Sequence, residues 1–280
     1  MFRLLVIPFL TFGAATFAIC DIVPTTKINF LADPALEGFV FHLSKKNSLS
    51  TEKEEVAAIK DGVLQITGKG FGYFRTVEAY RNYHLVLEYK WGERTWSKRE
   101  ERARDCGLLL HCHGPDGSFG GAWISCVQAQ MLEGSTGDIN VLQGKTKDGK
   151  LIPSTITCEV EKDAKGGVRW KKGGEAITYP PQGKVVQSIR WKDRDPGWKD
   201  EKGYRGARDV EKPVGEWNRM EVICDRGSLK ILLNGVLVNE GRDAKPAAGF
   251  IGVQNEWAEC WFRRFEIWPL GRFKAGENAR

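Results

Sequence analysis

The chain has 280 residues, of which 41% are hydrophobic and 28% charged, and its 42 Lys and Arg against 36 Asp and Glu leave a net charge of +6. This balance excludes a disordered or low-complexity chain. Its modest charge, mixed in sign even in the densest stretch from Lys90 to Arg104, argues against a nucleic-acid-binding protein and for a solvated loop there.

At the N-terminus Arg3 precedes an apolar run from Leu4 to Ile19, too short to span a bilayer comfortably and with small residues near its end. It reads as a signal peptide, residues 1–20, cleaved after Ala18 or Cys20, so the protein is expected to be exported to a periplasmic or extracellular space. Ile19 is a poor fit before a lipidated cysteine, which disfavours an anchor on Cys20. Nothing after Cys20 repeats the hydrophobic run, so no transmembrane span is expected after cleavage. Residues 21–280 suit one all-β domain.

Period-two runs dominate the rest of the chain, and helical periodicity is scarce. Strands are predicted at Val56–Ile59, Val63–Thr67, Phe71–Thr76, His84–Trp91, Gly107–His113, Ala122–Leu132, Asp138–Leu142 and Thr155–Glu161, then at Glu216–Asp225, Ser228–Leu233, Phe250–Asn255 and Cys260–Trp268. Asp61-Gly62, Asp225-Arg226-Gly227 and Asn234-Gly235 are hairpin signals. A dozen short strands at this spacing predict a two-sheet antiparallel sandwich or jelly roll. The exception is a long segment from Pro180 to Lys212, rich in Gly, Pro, Trp and charge, which reads as a functional or lid-like loop. Beyond Cys20 six cysteines remain, without metal-site spacing, and are expected to be mostly buried thiols with at most one bridge.

The most informative segment runs from Ala122 to Asp138. Alternation puts Gln128 and Gln130 on one face, with Glu133 just beyond. A sandwich glucanase needs a nucleophile and an acid/base at such positions. An amide can do neither, but it can hydrogen-bond two sugar hydroxyls at once. The same two glutamines would also suit a solvated sheet face with no function. In Gly107–His113 a regular strand puts His111 and His113 on one face, and histidine is suited to general acid/base work near neutrality. Gln254 and Glu256 alternate to one face of the Phe250–Asn255 run and its end, and Glu88 and Lys90 do so in His84–Trp91. Among ten tryptophans, Trp191, Trp198 and Trp257 lie in or beside polar loops, where a ring can stack on a sugar.

Taken in order, Asp61-Gly-Val-Leu-Gln-Ile-Thr-Gly68, Tyr73-Phe-Arg-Thr76, the Tyr80–Trp91 run, Asp105-Cys-Gly-Leu-Leu-Leu-His111, Gln130 with Glu133-Gly-Ser-Thr-Gly-Asp138, Gly203-Tyr-Arg-Gly206, Asp209–Asn218, Leu233–Asn239 and Gly252-Val-Gln254 leading to Arg263–Ile267 carry a resemblance. The chain resembles the 3-keto-disaccharide hydrolase domain family over about residues 30–270. The resemblance implies a concanavalin-like lectin/glucanase sandwich, exported from a bacterium, that acts on oxidised di- or oligosaccharides. A C3 ketone acidifies the C2 proton, so the glycosidic bond is broken by C2 deprotonation, elimination and hydration. That needs a base, an enolate stabiliser and a proton donor. The catalytic candidates are His111 or Glu133 as base and Lys90, or alternatively a bound divalent cation, as enolate stabiliser. Gln128, Gln130, Gln254, Glu256, Glu88 and Trp198 are the substrate-binding candidates. Relatives often carry Glu where this chain has Gln128, which opens an alternative reading as a non-catalytic carbohydrate-binding module.

Overall fold

The structure is a computed structural model that describes residues 21–163 and 166–275; the leader expected at 1–20 lies outside them. Two antiparallel sheets face each other. The larger has eleven strands, nine of them in the order Val168–Trp170, Thr155–Lys162, Val236–Lys245, Ser228–Leu233, Asn218–Asp225, Tyr83–Thr95, Ala258–Pro269, Val63–Ile66 and Ala57–Lys60, with Ile28–Asn29 paired onto Ala258–Pro269 and Glu175–Tyr179 onto Thr155–Lys162. The smaller runs Val186–Ile189, Ile139–Leu142, Ser125–Leu132, Asp105–His113, Gly249–Glu256, Phe71–Tyr80 and Phe39–Leu43. Helix among the described residues is confined to Lys53–Val56 and the 3₁₀ turn Ser97–Glu100, and no helix is long and apolar enough to cross a membrane.

The period-two pattern sets the layers. Leu85, Leu87, Tyr89 and Trp91 point inward from the larger sheet, and Leu108, Leu110, Val127, Ala129, Met131, Ile251 and Val253 meet them from the smaller. This single apolar layer removes the inner faces from water and supplies the main stabilising term. The expected turns form as left-handed pairs: Arg226 (φ 48°) and Asn234 (φ 51°) each precede a glycine, as a type I′ hairpin requires.

Two expectations change. The segment Pro180–Lys212 contains a strand, Val186–Ile189, which pairs with Ile139–Leu142 and leaves the irregular part to residues 190–217. Within Lys90–Arg104, read from its mixed charge as a solvated loop, Arg99 and Arg104 are buried because each finds carboxylates or carbonyls to hold it.

Candidate functional site

On the smaller sheet the residues that alternate away from the core build a polar floor. Register places Gln130 opposite Gly107, Gln128 between Leu109 and Asn140, and Gln254 and Glu256 opposite Tyr73 and Phe71. With only a hydrogen at Gly107, Gln128 Nε2 donates across it to Gln254 Oε1. A Cβ at Gly107 would stand 2.1 Å from Gln128 Nε2 and 2.6 Å from Gln254 Oε1, so the amide bridge requires glycine.

The bridge continues in both directions. Asn140 Nδ2 donates to Gln128 Oε1 at 3.0 Å, and Gln254 Nε2 donates to Glu256 Oε2. Arg99 then gathers three carboxylates: Glu256 Oε1 at 2.7 Å, Asp105 Oδ2, and Asp200 Oδ1 at 3.3 Å. Gln130 Nε2 donates to Asp105 Oδ1 at 3.1 Å, and its own Oε1 is buried with no partner among the described residues. Burial, with Glu256 beside it, pushes the Asp105 carboxyl well above the usual carboxylate range despite Arg99. The Glu256 side chain is 16% exposed against 7% for Asp105, which makes it the more open of the two.

One rim is aromatic. Phe71 lies 5.1 Å from the Trp123 ring and 4.3 Å from the Trp257 ring, beside Glu256. Residues 114–124 fold over the same sheet face, held by Asp116. Its carboxylate accepts from Tyr73 Oη at 2.7 Å and from Arg75 Nε and Nη2 at 2.8 Å. Burial works the other way, but these hydrogen bonds hold the Asp116 carboxyl below its ordinary range.

The segment Glu133–Asp138 anchors the irregular residues 190–211. Asp138 accepts from the Trp191 backbone N–H at 2.8 Å and from Arg194 Nη1. Trp198 Nε1 donates to the Glu133 carbonyl at 3.0 Å while Arg194 stacks on its ring at 4.4 Å. Gly134 (φ +73°) lies so close that a Cβ there would meet the Tyr204 carbonyl at 2.7 Å. Glu211 returns beneath the turn, accepting from Tyr89 Oη at 2.6 Å, Trp91 Nε1 at 2.8 Å and Thr136 Oγ1 at 3.0 Å. Its burial raises it to about 7. The glutamate of the motif has a structural partner too: both Glu133 carboxylate oxygens face Arg104 Nη1, at 3.0 and 3.1 Å.

Of the residues expected from sequence, Gln128, Gln130, Gln254 and Glu256 come together in one network. His111 does not join them. A bulge between Leu110 and His113 breaks the alternation, and His111 (φ 53°) turns its ring toward Tyr83 inside the sandwich, 6.5 Å between centroids. Neither ring nitrogen makes a well-formed hydrogen bond among the described residues, although the Pro246 carbonyl lies beside the ring. Burial lowers His111 to about 4. His113 bonds the carbonyls of His111 and Pro153 instead of sharing a site. Lys90 and Glu88 occupy the outer face of the larger sheet, on the far side of the sandwich. Lys90 sits over the Trp261 and Trp217 rings, and Glu88 pairs with Arg263 at 2.6 Å. Trp191 and Trp257 are both buried and Trp198 serves as a loop anchor; of the three named tryptophans only Trp257 packs against the rim residue Phe71, with its Nε1 donating to the Asn47 carbonyl at 2.9 Å.

Sequence reasoning missed Arg99, Asp105, Asn140 and Asp200. Asp105 was within reach, because it alternates with Gly107 on the same face as the glutamines. As for a divalent cation, no cluster of three His, Cys, Asp or Glu among the described residues is arranged to hold one. The position between Asp105, Glu256 and Asp200 is filled by the Arg99 guanidinium.

None of the curated proteins matches the chain. Among solved structures, a Parabacteroides distasonis protein described as a candidate glycosyl hydrolase is 19% identical with a TM-score of 0.47, over 87% of this chain and 99% of that one. The carbohydrate-binding module CBM66 of Bacillus subtilis is 8% identical with a TM-score of 0.42, over 82% and 94%. LamA of Zobellia galactanivorans, in complex with laminaritriose and laminaritetraose, is 12% identical with a TM-score of 0.41, over 87% and 99%. The model of the 3-keto-alpha-glucoside-1,2-lyase-like domain matches residues 35–268, and the chain belongs to that family.

Proposed function

We propose that this protein cleaves 3-keto-glycosides by elimination and hydration at the floor of the smaller sheet. The observation that carries the reading is the continuous amide–carboxylate network Asn140–Gln128–Gln254–Glu256–Arg99–Asp105–Gln130 beside an aromatic rim. Amides suit paired hydroxyls, and the rings suit the C–H face of a sugar. The roles assigned from sequence to His111, Glu133 and Lys90 pass to residues of the network. Glu256, the more open carboxylate, takes the proton from C2. Arg99 compensates the charge that develops on the enolate oxygen. Asp105, which holds its proton to a higher pH than an ordinary carboxyl, gives it to the departing glycosidic oxygen, leaving an enone. Water then adds at C1, returning one proton to Asp105 while Glu256 delivers its own to C2, and both groups end as they began.

The test is release of sugar from a 3-keto-glycoside and from the matching plain glycoside. Turnover of the keto substrate alone is expected, with Glu256→Gln and Asp105→Asn each slower by about 10²-fold or more. Lys90→Ala and Glu88→Ala, on the outer face, should leave the rate within about twofold. No release from either substrate would refute the reading. Glycan binding without turnover would establish instead the binding module that Gln128 suggests. Export belongs to the same proposal, and N-terminal sequencing of protein recovered from culture fractions checks it, with a start near residue 19 or 21 expected.

A further inference from the structure

We infer that Cys112 and Cys126 are a disulfide-forming pair that closes the segment covering the smaller sheet. His113 stands opposite Ser125, so in the register that follows the bulge Cys112 falls opposite Cys126 on the neighbouring antiparallel strand. Directly opposed residues have Cα atoms about 4.5–5.5 Å apart, inside the range that a disulfide spans. Both side chains are fully buried and belong to the same small apolar cluster with Tyr73, Leu109, Ile124 and Leu142. The Cys126 thiol lies within interaction distance of Cys112, and burial, with Cys126 adding to it, pushes the Cys112 thiol well above its ordinary range.

What the pair encloses gives it a purpose. Residues 113–125 carry Asp116, which ties down Tyr73 and Arg75, and Trp123, which packs on Phe71 at the aromatic rim. A bond between the two ends of this segment pins both contacts at their base. The structure shows the pair, like the other four described cysteines, reduced and buried, and a buried thiol exchanges slowly. The bond therefore forms during folding, while both thiols still reach solvent. Each loses its proton, one S–S bond forms, and two electrons pass to an oxidised dithiol or to glutathione disulfide, which leaves reduced with the two protons.

The experiment refolds the full chain in a glutathione redox buffer, blocks remaining thiols, and maps the peptides by mass. One linked peptide pair joining Cys112 to Cys126 is expected, 2 Da lighter than the reduced pair. Cys158 and Cys224, which have no thiol neighbour among the described residues, should be recovered blocked. Cleavage within residues 113–125 by a protease of broad specificity should quicken several-fold when the wild type is reduced. It should be insensitive to reductant in the double variant Cys112→Ala/Cys126→Ala, and the wild-type mapping stands by itself if that variant folds poorly. Recovery of both cysteines as blocked thiols at every redox ratio, or linkage of either to another partner, would overturn the inference.

Discussion

Gly107→Ala probes the site with the smallest change available. Gly107 is not among the residues with left-handed backbone, so alanine's conformational preference is no obstacle. The obstacle is space: the new methyl would stand 2.1 Å from Gln128 Nε2 and 2.6 Å from Gln254 Oε1, inside the contact distance of both. One amide or both must swing aside, breaking the bridge and stranding a buried donor and acceptor. Overpacking and a lost buried hydrogen bond each cost on the order of 1–3 kcal/mol, and because relief of one relieves part of the other, roughly 1–3 kcal/mol in total is expected. Urea unfolding followed by circular dichroism measures it. Gly38→Ala, where a Cβ meets nothing within 4 Å and the backbone is not left-handed, should change stability by less than about 0.5 kcal/mol. The consequence at the site should exceed the cost to the fold, because the displaced amides are the proposed hydroxyl ligands. A loss of at least tenfold in kcat/KM on the keto substrate, or in affinity for its product, is expected at temperatures where the variant is fully folded. A Gly107→Ala protein as stable as the wild type and equally active would refute both the amide bridge and the site built on it.

Two further predictions concern the loop anchor. Glu211 is raised from 4.5 to about 7 in the folded chain, so between those pH values the native state binds more protons than the unfolded one. Glu211 should therefore contribute a fall in stability as pH rises from about 4.5 to about 7, set against the rise that His111, lowered by burial to about 4, contributes up to about 6.5. In thermal unfolding scans Glu211→Gln should shift the slope toward stability that rises with pH. An unchanged slope in the variant would show that the carboxyl is not the titrating group. Asp138→Ala removes the acceptor of both the Trp191 N–H and Arg194, and should cost on the order of 3 kcal/mol for breaking a buried pair. Limited proteolysis should then cut within residues 191–211 before any strand of the sandwich.

The architecture was legible because it rests on alternation and turn chemistry. Twelve strand positions coincide with observed strands within a few residues, and the hairpins at Asp225–Gly227 and Asn234–Gly235 form as expected. Of the strands that were missed, among them Phe39–Leu43, Val168–Trp170 and Glu175–Tyr179, the longest, Val236–Lys245, carries Asn239-Glu240-Gly241-Arg242-Asp243, a run too polar to read as a strand until Thr155–Lys162 pairs along its far side. At the site, the glutamines and Glu256 could be found because they lie on regular strands, where period two holds. His111 could not be placed, because one bulge reverses the side on which its ring emerges. Lys90 and Glu88 were assigned without knowing which sheet their strand joins, and pairing with Asn218–Asp225 and Ala258–Pro269 puts them on the outside. Arg99 and Asp200 lie outside the strands, 101 positions apart, and only the folded chain brings them together.

The tether between Asp138 and the Trp191–Arg194 stretch also bears on how such a protein can be re-engineered. The glutamine-bearing strand and the irregular residues 191–211 are encoded in separate parts of the chain and joined through one short turn after the Ser125–Leu132 strand. A graft of residues 191–211 from another member of the family would therefore be accepted only with a matching turn, Gly134 and Asp138 included. Swapped as a pair, loop and turn form a cassette that can change what stands beside the polar network while the network itself stays in place.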